Sequence, residues 1–203
     1  MNDDDKIDSI KKWLGTGSIN IFGLPFSGKD THGHELAKSL GGKLLGGGQI
    51  LRGSVIPPRI REIMETGELI PTEDYIDIVL PYLSSPELDN SPLILSSVGR
   101  WSGEEGGVLE ATKKSGHPTK AVLHLEIDPL EARSRWYAAN HVRSRADDAE
   151  HLLEVRFSEF VTKTLPVIQS YKELGLLIEV DGRPSIDIVN TNIVAELFKL
   201  SKQ

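Results

Sequence analysis

Gly23, Leu24, Pro25, Phe26, Ser27, Gly28 and Lys29 make a short loop bounded by glycines and closed by a lysine. The run Ile19-Asn20-Ile21-Phe22 enters it with the look of a buried strand, and residues 29–40 leave it with the look of a helix. Such a loop turns its backbone N–H groups inward, the helix start adds partial positive charge, and the lysine reaches outer phosphates. The chemistry expected is the cradling of a nucleotide polyphosphate. A strict phosphate-loop motif carries Ser or Thr directly after its lysine; here Asp30 follows, and the hydroxyl comes at Thr31. The bland alternative is a strand-to-helix turn that binds nothing, and the strand-loop-helix context weighs against it.

Arginines are the second group with chemical promise. Arg133, Arg135, Arg143 and Arg145 crowd one stretch, Arg156 follows after a helical spacer, and Arg52 and Arg100 stand apart. Phosphoryl transfer spreads negative charge over peripheral oxygens in its transition state, so guanidinium groups closing over phosphates are the expected catalysts. Taken alone, the cluster reads as a charged helical surface; with the loop, Arg52 and Arg100, the functional reading wins. The chain has 203 residues, 23 Lys and Arg against 30 Asp and Glu, and a net charge of −7. That balance argues against general binding of nucleic acid or anionic lipid, so phosphate affinity must be local. With no cysteine, disulfides, thiolate nucleophiles and Cys-based zinc sites are excluded. His32 and His34 do not share a helix face, and both read as solvent-side or substrate-rim residues rather than metal ligands.

These groups need a scaffold, and the length favours one domain with insertions, residues 1–203. Ile7, Ile10, Lys11 and Leu14 give a short amphipathic helix before the first strand, within an N-terminal extension of residues 1–17. Residues 46–82 read as short helices broken at Pro57-Pro58 and stopped at Gly67. Leu93-Ile94-Leu95, residues 121–127 and residues 176–180 read as further strands, and helices are expected over 104–114, 130–140 and 186–200. Arg100 then lies just past the carboxyl end of a strand, where open α/β sheets bind ligands. Alternating strands and helices predict an α/β fold with a parallel sheet covered on both faces. An acidic start and the lack of a ~20-residue apolar run suggest a soluble cytoplasmic chain with no membrane partner.

In this order the motifs resemble the adenylate kinase and nucleoside monophosphate kinase family across residues 19–197. The resemblance rests on residues 23–31 against Gly-x-Pro-x-x-Gly-Lys-Gly-Thr, on Gly48-Gln49-Ile50-Leu51-Arg52, and on Gly67-Glu68-Leu69-Ile70-Pro71. It continues through Arg145-Ala146-Asp147-Asp148, Arg156, Thr164-Leu165-Pro166-Val167, Tyr171 and Asp181-Gly182. It implies a P-loop NTPase-type parallel sheet of five strands, an acceptor-binding insertion over residues 46–90 and a short lid over 136–146. ATP as donor, Mg²⁺, a nucleoside monophosphate as acceptor and a monomeric enzyme are implied with it.

Carried over residue by residue, the resemblance assigns donor phosphates to Gly23, Pro25, Phe26, Ser27, Gly28, Lys29, Asp30 and Thr31, with Thr31 near the metal. It sets Arg135 against the donor base, Arg52 and Arg100 on the acceptor phosphate, and Arg145 and Arg156 on the phosphoryl group in flight. Gly47, Gly67, Glu68, Leu69, Ile70 and Glu104 would line the acceptor. The chain departs from the pattern at four places: Ser96 stands for an aspartate, Asp30 for a glycine, Ala139 for a lid arginine, and Glu104 for an adenine-reading glutamine. The first and third admit a nucleotide-binding pseudokinase or regulator; the last predicts weakened adenine selectivity, because an ionised carboxylate only accepts hydrogen bonds. Trp101-Ser102-Gly103-Glu104-Glu105 also suggests a P-loop kinase for a small metabolite.

Overall fold

The computed structural model describes residues 3–139 and 150–202. In chain order these form α1 (Asp3–Leu14), β1 (Ser18–Gly23), α2 (Lys29–Leu40), β2 (Lys43–Gly46), α3 (Gly47–Gly53), α4 (Pro58–Glu65) and α5 (Thr72–Tyr82). After them come β3 (Leu93–Ser96), α6 (Glu104–Lys114), β4 (Thr119–Glu126), α7 (Pro129–Ala139), α8 (Glu150–Glu159), α9 (Leu165–Glu173), β5 (Leu177–Asp181) and α10 (Ile186–Leu200). The strands form one sheet in the order β2-β3-β1-β4-β5, with every pair parallel.

Period-two alternation decides which helix packs on which face. Ile19 and Ile21 of β1, with Ile94, Leu123 and Val180, meet Leu14, Leu36, Val189 and Leu197 of α1, α2 and α10 in one core. Phe22 and Val122 point the other way, into a cluster with Trp136, Phe157, Val167 and Tyr171. Leu93 and Leu95 join Ile60, Tyr75, Val79 and Val108 in a third cluster, shared with α4, α5 and α6. A sheet buried on both faces needs near-continuous apolar strands. Ser18 and Asn20 are the polar exceptions in β1, and the Asn20 side chain donates to the Val98 carbonyl while accepting from the Val98 N–H.

Local signals place several boundaries. Helix α2 stops where Gly41 turns left-handed and the Gly42 N–H donates to the Ala37 carbonyl, closing the last turn. Helix α4 opens on Pro58, at the first helical position, where a missing N–H costs no bond. The chain leaves β1 toward β2 on one side of the sheet and leaves β3 toward β4 on the other. The loops after β1 and β3 therefore diverge around a crevice at the strands' carboxyl ends, the place where open α/β sheets bind ligands. An all-parallel five-stranded sheet with this loop after its central strand is a P-loop NTPase-like α/β fold.

Candidate active site

The loop after β1 is held by close contacts that exclude a side chain at its first glycine. A Cβ on Gly23 would lie 2.5 Å from the Ser27 hydroxyl and 2.7 Å from the Leu125 carbonyl. Ser27 is fully buried, and its hydroxyl has no partner among the described residues. Lys29 turns back along the loop, donating to the Gly23 and Leu24 carbonyls at 2.9 Å each. Phe26 takes φ of 66° and Ser97, on the loop after β3, takes 52°. Non-glycine residues in this left-handed region cost about 1–2 kcal/mol each, and such outliers cluster where a site needs a particular backbone.

A cavity of about 1180 Å³ opens over these two loops. From the β1 loop and α2, Gly23, Pro25, Phe26, Gly28, Lys29, Asp30 and Thr31 line it. Gly47 and Arg52 of α3 form another wall, and the turn Gly67, Glu68, Leu69, Ile70 a third. Arg100 and Glu104 reach it from the β3 side, Arg135 from α7 and Arg156 from α8. Residues from six separated stretches thus meet in one space, although Ser27 lies beneath its surface. Arg145 and Arg143 fall outside the described residues, as does most of the expected lid.

The positive wall is preformed. Burial lowers the Arg100 pKa from its ordinary value, and the neighbouring Arg156 guanidinium adds to the effect, so two like charges face each other near one space. The Arg156 guanidinium lies 5.8 Å from the centre of the Phe26 ring. Arg135 is tethered: it pairs with Glu131 and donates to the Gly182 carbonyl at 2.7 Å and the Ser27 carbonyl at 3.5 Å. Such a cluster, in a chain of net negative charge, is matched by a polyanionic ligand. Thr31 and Asp30 contribute oxygens beside it, the donor type a hard divalent cation takes.

Glu104 is committed differently from a free base-reading side chain. Only 2% exposed, it accepts from the Arg100 and Trp101 backbone N–H groups at 2.7 and 3.0 Å through one oxygen. It thereby sets the turn that carries Arg100, while its second oxygen has no partner among the described residues. Tyr75 supports the same turn, its hydroxyl accepting from the Gly99 N–H at 2.9 Å.

Of the two places expected for His32, the solvent side is corrected and the cavity rim is not: it is 3% exposed yet lines the cavity, its ring is within hydrogen-bonding distance of the Asn190 side chain at 2.7 Å, and burial lowers its pKa. It packs beneath the phosphate loop, where a Cβ on Gly28 would meet its ring at 3.1 Å. His34 is exposed, as expected. Tyr75, Trp101, Ser96 and Glu159 also line the cavity. The Trp101 segment is unusual in sequence, whereas Tyr75 and Glu159 carry no local signal.

Fold and cavity together define a P-loop NTPase-like α/β protein with an open cavity over the loop after its central strand. No protein-family model matches the chain. Among curated proteins, the adenylate kinase of Thermus thermophilus is 28% identical, with 91% of this chain and 99% of the relative covered. The adenylate kinase of Phocaeicola vulgatus is 26% identical over 90% of this chain and 99% of its own. Human adenylate kinase isoenzyme 1 is 26% identical over 95% and 98%. Across about nine-tenths of its length, then, the chain is similar to these adenylate kinases. Among the described residues no helix is long and apolar enough to cross a membrane.

Proposed function

We propose that the protein is an ATP:nucleoside monophosphate phosphotransferase. The observation that carries this reading is the convergence of Lys29, Arg52, Arg100 and Arg156 on one cavity from four separated stretches. In the proposed reaction a phosphate oxygen of the acceptor attacks the γ-phosphorus of ATP. The bond to the bridging oxygen breaks, its electron pair leaves with ADP, and the acceptor becomes a diphosphate. No side-chain base is required, because the acceptor phosphate is already an oxyanion at neutral pH.

In this reading Lys29 and the loop amides hold the donor phosphates, and Arg135 lies on the donor side. Arg52 and Arg100 grip the acceptor phosphate, while Arg156, with Arg145, steadies the group in flight. Mg²⁺ bound with ATP would neutralise β- and γ-oxygens, with Thr31 and Asp30 as the nearby oxygens. Residues 46–90 serve as the acceptor insertion and 136–146 as the lid, excluding water from the transfer. The uncommitted oxygen of Glu104 can only accept, so it suits the N1–H and amino group of guanine or the amino group of cytosine and offers no donor to adenine N1. Relatives named for adenylate kinase activity support the reaction class.

A coupled assay for ADP formation, with ATP, Mg²⁺ and AMP, GMP, CMP or UMP in turn, tests this. Lys29→Ala should lower the rate at least about a hundredfold, the scale of losing one preorganised charge partner. Turnover no higher than in Lys29→Ala with every acceptor would instead favour a binding protein. A strong preference for AMP would overturn the part assigned to Glu104.

A further inference from the structure

The cavity wall holds a carboxylate beside the loop expected to hold phosphates. Asp30 sits between Lys29 and Thr31 in the first turn of α2, and all three line the cavity. Its Oδ1 accepts a 2.8 Å hydrogen bond from the hydroxyl of Ser96. Ser96 is the last residue of β3, is 8% exposed, and stands in register with Ile21 of β1 and Gly46 of β2. The bond therefore spans the crevice from the helix that follows β1 to the end of the neighbouring strand, fixing the carboxylate over the sheet's carboxyl edge. Among the described residues no lysine, arginine or histidine pairs with Asp30.

An unpaired carboxylate beside a phosphate loop repels the ligand that the loop is built to hold, unless a cation stands between them. A hard divalent cation travelling with a nucleotide keeps several of its waters and is held by one or two carboxylates. We propose that Asp30, oriented by Ser96, is the group that holds the hydrated divalent cation of the bound nucleotide, with the Thr31 hydroxyl beside it. This rests on the nucleotide reading of the site and assigns the metal-facing role within it. A competing structural role exists, since an acid in the first turn of a helix is favoured by the helix dipole. That role would stabilise α2 without making nucleotide affinity depend on metal.

Calorimetric titration of ATP into the full chain, with Mg²⁺ and then with EDTA, separates the two without requiring turnover. For Asp30→Asn the affinity for Mg²⁺–ATP should fall about ten- to hundredfold, as for other groups that orient a metal's shell. Affinity for metal-free ATP should stay level or rise, because a repulsive charge has gone. Ser96→Ala should show a smaller loss of the same kind, and the exchange Asp30→Gly with Ser96→Asp should restore the preference for metal. Thermal melting of each variant confirms that it is folded. Equal affinity for Mg²⁺–ATP in Asp30→Asn and the parent would overturn the proposal, as would an equal loss with and without metal. Failure of the parent to bind ATP under either condition would overturn it together with the reading beneath it. A parent that shows the metal preference but transfers no phosphate would leave Asp30's role standing and refute the phosphotransferase.

Discussion

His32 shows how a single side chain can be fixed by what lies above it. Its ring supports the underside of the phosphate loop at Gly28 and is paired with Asn190 of α10. Burial disfavours the charged imidazolium, and the positive charge of Arg135 adds to that, although the Asn190 contact works the other way. Its pKa is accordingly depressed below the ordinary 6.5. The unfolded chain therefore takes up a proton near pH 6.5 that the folded chain refuses until lower pH. Stability is complete above that value and falls as pH drops from about 6.5 toward the folded pKa. His124 is shifted the same way, with burial the leading cause. Replacing His32 with Gln should flatten the decline in unfolding free energy between pH 7 and pH 5, read from urea titrations, by at most about 1.4 kcal/mol per pH unit for one proton. An unchanged slope would mean that His32 takes its proton in the folded state as readily as in the unfolded one.

Among the elements, α5 is the piece that ties α3 to the loop bearing Arg100. Tyr75 is buried and takes the Gly99 N–H, and it leaves so little room that a Cβ on Gly47 would lie 2.8 Å from its hydroxyl. Tyr75→Phe keeps the ring but strands a buried donor, a cost of about 1–3 kcal/mol, or roughly 2–10 °C in melting temperature. It should also raise KM for the acceptor without changing ATP affinity, because Arg100 follows Gly99 directly. Parallel losses for both nucleotides would refute that link. Much of this scale was legible beforehand: Ile19, Ile21 and Phe22 alternate, Gly41-Gly42 and Pro57-Pro58 mark boundaries, and Arg100 follows a strand. Strand β2 was not, because Lys43–Gly46 is a four-residue edge strand set among glycines, with burial grading from exposed to intermediate and no alternation to betray it. Nor could the sequence pattern join Asp30 to Ser96, which stand 66 residues apart and meet only because β3 lies beside β1.

Across the whole molecule, the turn at residues 67–70 and the loop bearing Arg100 are bracketed by the segment between α8 and α9. That segment, Phe160–Thr164, is a π-helical turn, a distortion often found at functional sites. Just before it, Glu159 accepts the Leu69 N–H at 3.0 Å and pairs with Lys163, whose ammonium lies 3.9 Å from the centre of the Trp101 ring. Trp101 in turn donates its indole N–H to the Ile70 carbonyl at 2.8 Å, and Thr164 donates to the Arg100 carbonyl at 3.3 Å. A movement of α8, which carries Arg156, must therefore pull on the turn at residues 67–70 and on the loop bearing Arg100. Glu159→Ala cuts this bracket at its centre while leaving the phosphate loop untouched. Losing a charge-assisted bond and stranding the Leu69 N–H should weaken acceptor monophosphate binding by about tenfold or more. ATP binding should change little, since the donor loop lies across the cavity. Titration of each nucleotide separately, followed by Trp101 fluorescence against a Trp101→Phe control, reads both effects. Should acceptor affinity survive Glu159→Ala intact, the two sides of the cavity are held by the sheet alone and the bracket transmits nothing.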